Sequence, residues 1–128
     1  MEINLKLPVL VIADYAKMLQ IIGNLLKQLG IRNVDEAFGG ITALELLRVK
    51  NYSLIIAEDV MAPIGGLDVM REVRGDSKLK ITPFLLITDQ QAGLDRSALL
   101  DFECFNYIQR PFNAAGLKSK IVDLVCDF

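Results

Sequence analysis

Ser53-Leu54-Ile55-Ile56-Ala57-Glu58-Asp59 is the stretch that decides the fold. Its apolar residues stand in an unbroken row and give way at once to two carboxylates. A run that short, with no polar alternation, fits a strand covered on both faces, as in a parallel sheet. Upstream, Val9-Leu10-Val11-Ile12 repeats the pattern and leads through Ala13 to Asp14. Downstream, Pro83 opens a third such run, Phe84-Leu85-Leu86-Ile87, which ends at Thr88. Val34 to Phe38 and Phe105 to Ile108 read as two further, weaker strands, the last followed by Arg110-Pro111.

The segments between these runs have helical spacing. Met18, Ile21, Ile22, Leu25, Leu26 and Leu29 recur as one face of a helix, with Asp14 at the N-cap place and Gly30 at a left-handed end. Gly39-Gly40 reads as a turn into a second helix with Ala43, Leu44 and Leu47 inward. A loop with Pro63, Gly65 and Gly66 leads to a helix over Leu67 to Arg74. A further helix is expected over Gln91 to Asp101, and the last one carries Leu117, Ile121, Leu124 and Val125 on one face.

Strands alternating with helices imply a parallel sheet with right-handed crossovers. Such sheets bind ligands beyond the carboxyl ends of their strands. Polar residues stand at those ends: Asp14, then Glu58 and Asp59, then Thr88, then Arg110. Periodicity alone therefore gathers acids, a hydroxyl and a guanidinium at one place.

The bulk composition narrows the chemistry. The 128 residues fit one domain, and 52% of them are hydrophobic, which suits a sheet covered twice. A net charge of −2, from 14 basic and 16 acidic residues, gives no pull towards nucleic acid or an anionic membrane. With no histidine, a Ser-His-Asp triad and a His-ligated zinc site are excluded. Cys104 and Cys126 form no C-x-x-C pair, and a reduced, cytoplasmic setting is the simpler expectation. Leu7 to Ala13 is too short an apolar run for a signal sequence, and no stretch is long enough to span a bilayer.

Several motifs together carry a family resemblance. They are Val9-Leu10-Val11-Ile12-Ala13-Asp14, Asn24-Leu25-Leu26-Lys27-Gln28-Leu29-Gly30, Gly66-Leu67, Ile87-Thr88 and Tyr107-Ile108-Gln109-Arg110-Pro111-Phe112. Over nearly its whole length the chain resembles a response-regulator receiver domain of the two-component type. The resemblance implies an α/β, flavodoxin-like (CheY-like) doubly wound sheet of five parallel strands, order 2-1-3-4-5, with helices on both faces and residues 1–128 as a single receiver domain. It also implies a signalling module rather than an enzyme. In the family an acidic pair holds magnesium and an aspartate ending the third strand accepts phosphoryl. A Thr or Ser and a Lys contact the phosphoryl oxygens, and an aromatic residue before the Lys follows the Thr inward.

By that resemblance Thr88 and Tyr107 are the switch residues, and Thr88 and Arg110 hold the phosphoryl-contact positions. The sequence departs from the pattern elsewhere. The acidic pair is reduced to Ala13-Asp14, Val60 follows the acceptor by two, Asp89 follows the threonine, and Arg110 replaces the lysine. Counting without gaps from Ala43-Leu44 puts Glu58 at the phosphoacceptor position. The alternative register puts Asp59 there and aligns Pro63, but it needs a deletion before Gly66.

Glu58 is one methylene longer than the family geometry, and Arg110 competes with a metal. No cofactor is therefore expected, with Asp14 and Glu58 as weak magnesium candidates in an acidic pocket. Two readings of the pocket stay open. In one, a Glu58–Arg110 or Asp14–Arg110 pair mimics the phosphorylated state and biases Thr88 and Tyr107 inward. In the other, the pair only satisfies charges left at the strand ends. The expected action is protein–protein interaction without phosphorylation, with no nucleic acid or membrane partner. The partner would be a histidine kinase or a downstream target, on the face made by the 91–101 helix, the fifth strand and the last helix. Phe102 and Phe105 flank that face, as anchors or as core. Arg110-Pro111 is expected to be cis. The competing readings are a regulator phosphorylated on Asp59 with magnesium, and a small α/β enzyme or nucleotide-binding receiver variant using Asp14, Glu58 and Arg110.

Overall fold

The computed structural model describes residues 5–89 and 105–125. Five parallel strands form one sheet: β1 (Val9–Ala13), β2 (Val34–Phe38), β3 (Leu54–Glu58), β4 (Phe84–Asp89) and β5 (Phe105–Arg110). Their spatial order is β2-β1-β3-β4-β5, the doubly wound arrangement expected. The described helices are α1 (Ala16–Gln28), α2 (Gly40–Val49), α3 (Gly66–Gly75) and α4 (Ala114–Val125). The helix expected over Gln91 to Asp101, Phe102 and both cysteines lie outside the described residues. No described helix is long and apolar enough to cross a membrane.

The strands' period of two divides the apolar residues between two cores. Val9, Val11, Leu54, Ile56, Leu85, Ile87 and Ile108 face one side and meet Met18, Ile22 and Leu26 of α1 with Leu117 and Ile121 of α4. Leu10, Ile12, Ile55, Ala57, Phe84 and Leu86 face the other and meet Ala43 and Leu47 of α2 with Val69, Met70 and Val73 of α3. Each fully buried Leu, Ile, Val or Met contributes about 1.5–3 kcal/mol relative to exposure. Unbroken apolar runs are thus the signature of this double cover. On β2, an edge strand, Asp35 binds across to the α2–β3 connection. It accepts from Lys50 Nζ at 2.5 Å and from the Tyr52 hydroxyl at 2.7 Å. Those two bonds hold the Asp35 carboxyl below its usual range, and burial pushes the Tyr52 hydroxyl up.

Several expectations are corrected in detail. Asp14 is not the N-cap of α1: Tyr15 is, in extended conformation with no side-chain cap bond, and the helix starts one residue later than the spacing implied. Ile21 is exposed, and Leu19 takes a buried place instead, because the helix turns its Met18-Leu19-Ile22-Leu26 stripe to the sheet. Strands β4 and β5 run past Thr88 and Ile108, since their parallel ladder continues through Thr88↔Gln109 and Asp89↔Arg110. Phe105 is partly buried against the core and stacks on Phe84 with ring centroids 6.2 Å apart. The Arg110–Pro111 bond is cis, as expected, and so is Ala62–Pro63, which no reading of the sequence anticipated.

Candidate functional site

The strand ends place the polar residues. Glu58 is the last residue of β3 and pairs in register with Ile87, so its side chain lies on the α1/α4 face with Ile87. Ala13, last in β1, and Arg110, last in β5 and two beyond Ile108, fall on that same face by the period of two. Thr88 and Tyr107 have the opposite parity, with Leu86 and Phe84.

Arg110 reaches across to Glu58: its Nη1 donates to Glu58 Oε1 at 3.2 Å. The same Nη1 donates to the Tyr15 hydroxyl at 3.3 Å. One nitrogen is shared between two acceptors, so the contact is not the two-nitrogen fork that an arginine can offer. Of the two pairings expected, the structure forms Glu58–Arg110; among the described residues Asp14 makes no ion pair or hydrogen bond. The Glu58 side chain is only 5% exposed and that of Arg110 33%, so the acid is sealed and the base is its route to solvent.

The electrostatics follow from that geometry. Burial pushes the Glu58 carboxyl above its ordinary range, and Arg110 pulls it back. The Asp14 carboxylate adds to the upward push, while the hydrogen bond with Tyr15 opposes it. Asp59 sits apart from this group. Its backbone N–H donates to Ile87 O at 2.8 Å, and its carboxyl is pushed up by burial and by neighbouring Asp68.

The loop behind the two acids is drawn tightly onto them. Gly66 N–H donates to Asp59 O at 3.0 Å. A Cβ on Gly66 would come 2.3 Å from Glu58 O, and one on Gly65 would come 2.3 Å from Asp59 O. Asp68 reaches back to accept from Gly65 N–H at 2.9 Å and fixes the start of α3. Met61 is buried under this loop, whereas Val60 points out and is 74% exposed.

Thr88 is 1% exposed, and among the described residues its hydroxyl oxygen has no hydrogen-bond partner. Tyr107 is half-buried, with Lys120 Nζ 5.5 Å from its ring centroid. The structure thus brings Glu58 and Arg110 together beside Asp14, and leaves Thr88 and Tyr107 on the other face of the sheet. Tyr15 is the member that sequence reasoning missed. Its only signal was its place directly after Asp14, because its bond to Arg110 spans 95 positions of the chain.

A divalent cation fits this donor set poorly. Magnesium commonly takes one or two carboxylates plus water. Here the buried carboxylate of Glu58 is already held by a guanidinium, and Ala13 offers no side-chain oxygen. Among the described residues no three acidic or cysteine side chains gather closely enough to hold a metal.

Comparison with known proteins places this geometry. Residues 9–122 match the response regulator receiver domain family. The chain is 32% identical over 119 residues to chemotaxis protein CheY-3 of Vibrio cholerae, covering 93% of this chain and 92% of that protein. It is 34% identical over 113 residues to chemotaxis protein CheY of Pseudomonas aeruginosa, covering 88% and 91%. Among solved structures it is similar to the receiver domain of a sensor histidine kinase from Pseudomonas aeruginosa, which has magnesium coordinated in its active-site cleft. That match has a TM-score of 0.83 at 22% identity, covering 95% and 99% of the two chains. Vibrio cholerae CheY4 matches with a TM-score of 0.82 at 23% identity, covering 93% and 98%. The strand order, the acid at the end of β3 and the match over residues 9–122 together make this chain a member of the response-regulator receiver family.

Proposed function

We propose that this receiver domain signals by binding protein partners in a pocket state set by its own side chains, without accepting a phosphoryl group. One observation carries the reading: Arg110 is bonded to a buried Glu58 where the family places a phosphorylatable aspartate and a metal. Phosphoryl transfer to a carboxylate needs a metal or cation to neutralise the transferring group and an in-line approach. Here the cation is already engaged by Glu58, and the carboxylate is one methylene longer. Asp59 is the competing acceptor. Among the described residues it forms no ion pair, and the neighbouring charge that acts on it is another acid, Asp68.

The partner would be a histidine kinase or a downstream target, docking on β5 and α4, where Tyr107 is half-buried beside Lys120. Glu58 on Arg110 supports a partial mimic of the phosphorylated state, because it places a negative charge on the cation that would otherwise meet phosphate. Treatment with acetyl phosphate and magnesium, followed by mass spectrometry, tests the core of the proposal. The expected result is an unmodified chain. One added phosphoryl group, lost in Asp59→Asn, would sink it. Glu58→Gln tests the mimic: unchanged partner binding and an unchanged Tyr107 environment would leave the pair a structural remnant.

A further inference from the structure

The mouth of this pocket is apolar where a phosphoryl site would be wet and charged. Tyr15 follows β1, Phe38 ends β2, Ile41 lies in the first turn of α2, and Val60 follows β3. They are 41%, 58%, 53% and 74% exposed. Strands β2, β1 and β3 are neighbours, and Phe38 pairs in register with Ala13, so the four residues stand at one end of the sheet. Single exposed apolar residues need no explanation, but four of them gathered at one end of a sheet offer an interaction surface. Phe38 also lines an open groove of about 830 Å³ between α1 and β2, whose walls carry Lys27, Arg32, Asp35 and Glu36.

Charge decides what this surface fits. Glu58 is already met by Arg110, but Asp14, between Ala13 and Tyr15, has no cationic partner among the described residues. Its charge is felt by Glu58. A second copy of the chain docked through the same surface would bring Asp14 towards its own like charge. An anionic lipid surface would be repelled for the same reason. We infer that the end of the sheet at Tyr15, Phe38, Ile41 and Val60 is a docking surface for a polypeptide segment with apolar side chains and one Lys or Arg for Asp14. The apolar side chains cover these four residues, and the cation pairs with Asp14. This surface is separate from the β5 and α4 face.

A phage-displayed library of random dodecapeptides, selected on the intact protein, tests the inference. Enriched peptides are expected to carry a Lys or Arg within an apolar sequence. Their affinity is expected to fall about tenfold in Asp14→Asn and in the double variant Phe38→Ser/Ile41→Ser. Val60→Ser serves as an independent second variant, and an unchanged circular dichroism spectrum shows that each protein is folded. No enrichment, enrichment without basic residues, or affinity indifferent to these substitutions would overturn it. So would self-association in sedimentation that the same variants abolish, or binding to phosphatidylcholine–phosphatidylglycerol vesicles in place of peptide. Phosphoryl labelling plays no part in the assay, so a label on Asp59 would overturn the proposed function and leave this surface standing.

Discussion

Glu58 is an acid kept in a place that suits it badly. Its carboxyl is pushed above the ordinary value of 4.5, first by burial. The native state therefore holds that proton more tightly than the unfolded chain. The stability it contributes is full below 4.5 and is lost as pH rises through the higher native value. Arg110 limits the loss by pairing with the charged form. Arg110→Ala should cost about 2 kcal/mol at neutral pH, less than a wholly buried pair because the guanidinium is partly exposed. The cost should shrink as the solution is acidified and Glu58 becomes neutral. Urea unfolding of both proteins from acidic to neutral pH would show it; a constant difference would mean that Glu58 is not the group concerned. Thr88 makes a second case. A buried hydroxyl without a partner costs free energy that its isostere avoids, so Thr88→Val should raise stability by about 1 kcal/mol. A drop in melting temperature would show that the hydroxyl has a use in the folded state.

The β3–α3 connection shows why an element can be legible while its reason is not. Gly65 and Gly66 read as loop residues, and Gly66-Leu67 carried family resemblance. Neither reading says that the loop folds onto the carbonyls of Asp59 and Glu58. A Cβ at position 66 would also sit 2.6 Å from Leu86 Cδ1, so there is no soft direction for it to move. Gly66→Ala should destabilise by about 2–4 kcal/mol. Gly75→Ala, at the end of the same helix with nothing within 4 Å of a new Cβ, should be neutral or stabilising by up to about 1 kcal/mol. Equal effects in thermal melts would refute the close approach. The strands were legible because double cover makes each an unbroken apolar run, and their order followed from alternation and handedness. The start of α1 was not. Asp14 has the chemistry of a cap, but Tyr15 stays extended and carries the chain one residue further before the helix begins. That extra residue sets the Tyr15 hydroxyl beside Arg110, a contact between opposite ends of the chain that no local pattern encodes.

At the scale of the whole molecule, the sheet brings the ends of β1, β3 and β5 to one place whatever residues stand there. On the proposed reading, the backbone frame of a phosphoryl site is kept while side chains in it differ, Ala13, Glu58 and Arg110 among them. If the frame is intact, the chemistry should return when the side chains do. The triple variant Ala13→Asp/Glu58→Asp/Arg110→Lys restores two carboxylates near β1, shortens the acid on β3 and replaces the arginine with a cation that makes no planar fork. A ligand that binds only the folded state raises its stability in proportion to occupancy. Millimolar magnesium should therefore raise the melting temperature of the triple variant by about a few degrees and leave the unaltered protein unmoved. Acetyl phosphate with magnesium should then add one phosphoryl group at position 58 of the variant alone. A variant that folds but takes neither metal nor phosphoryl would place the obstacle in the frame itself, at the Gly65-Gly66 loop or at Asp89 beyond Thr88. The three exchanged side chains would then not account for the altered pocket.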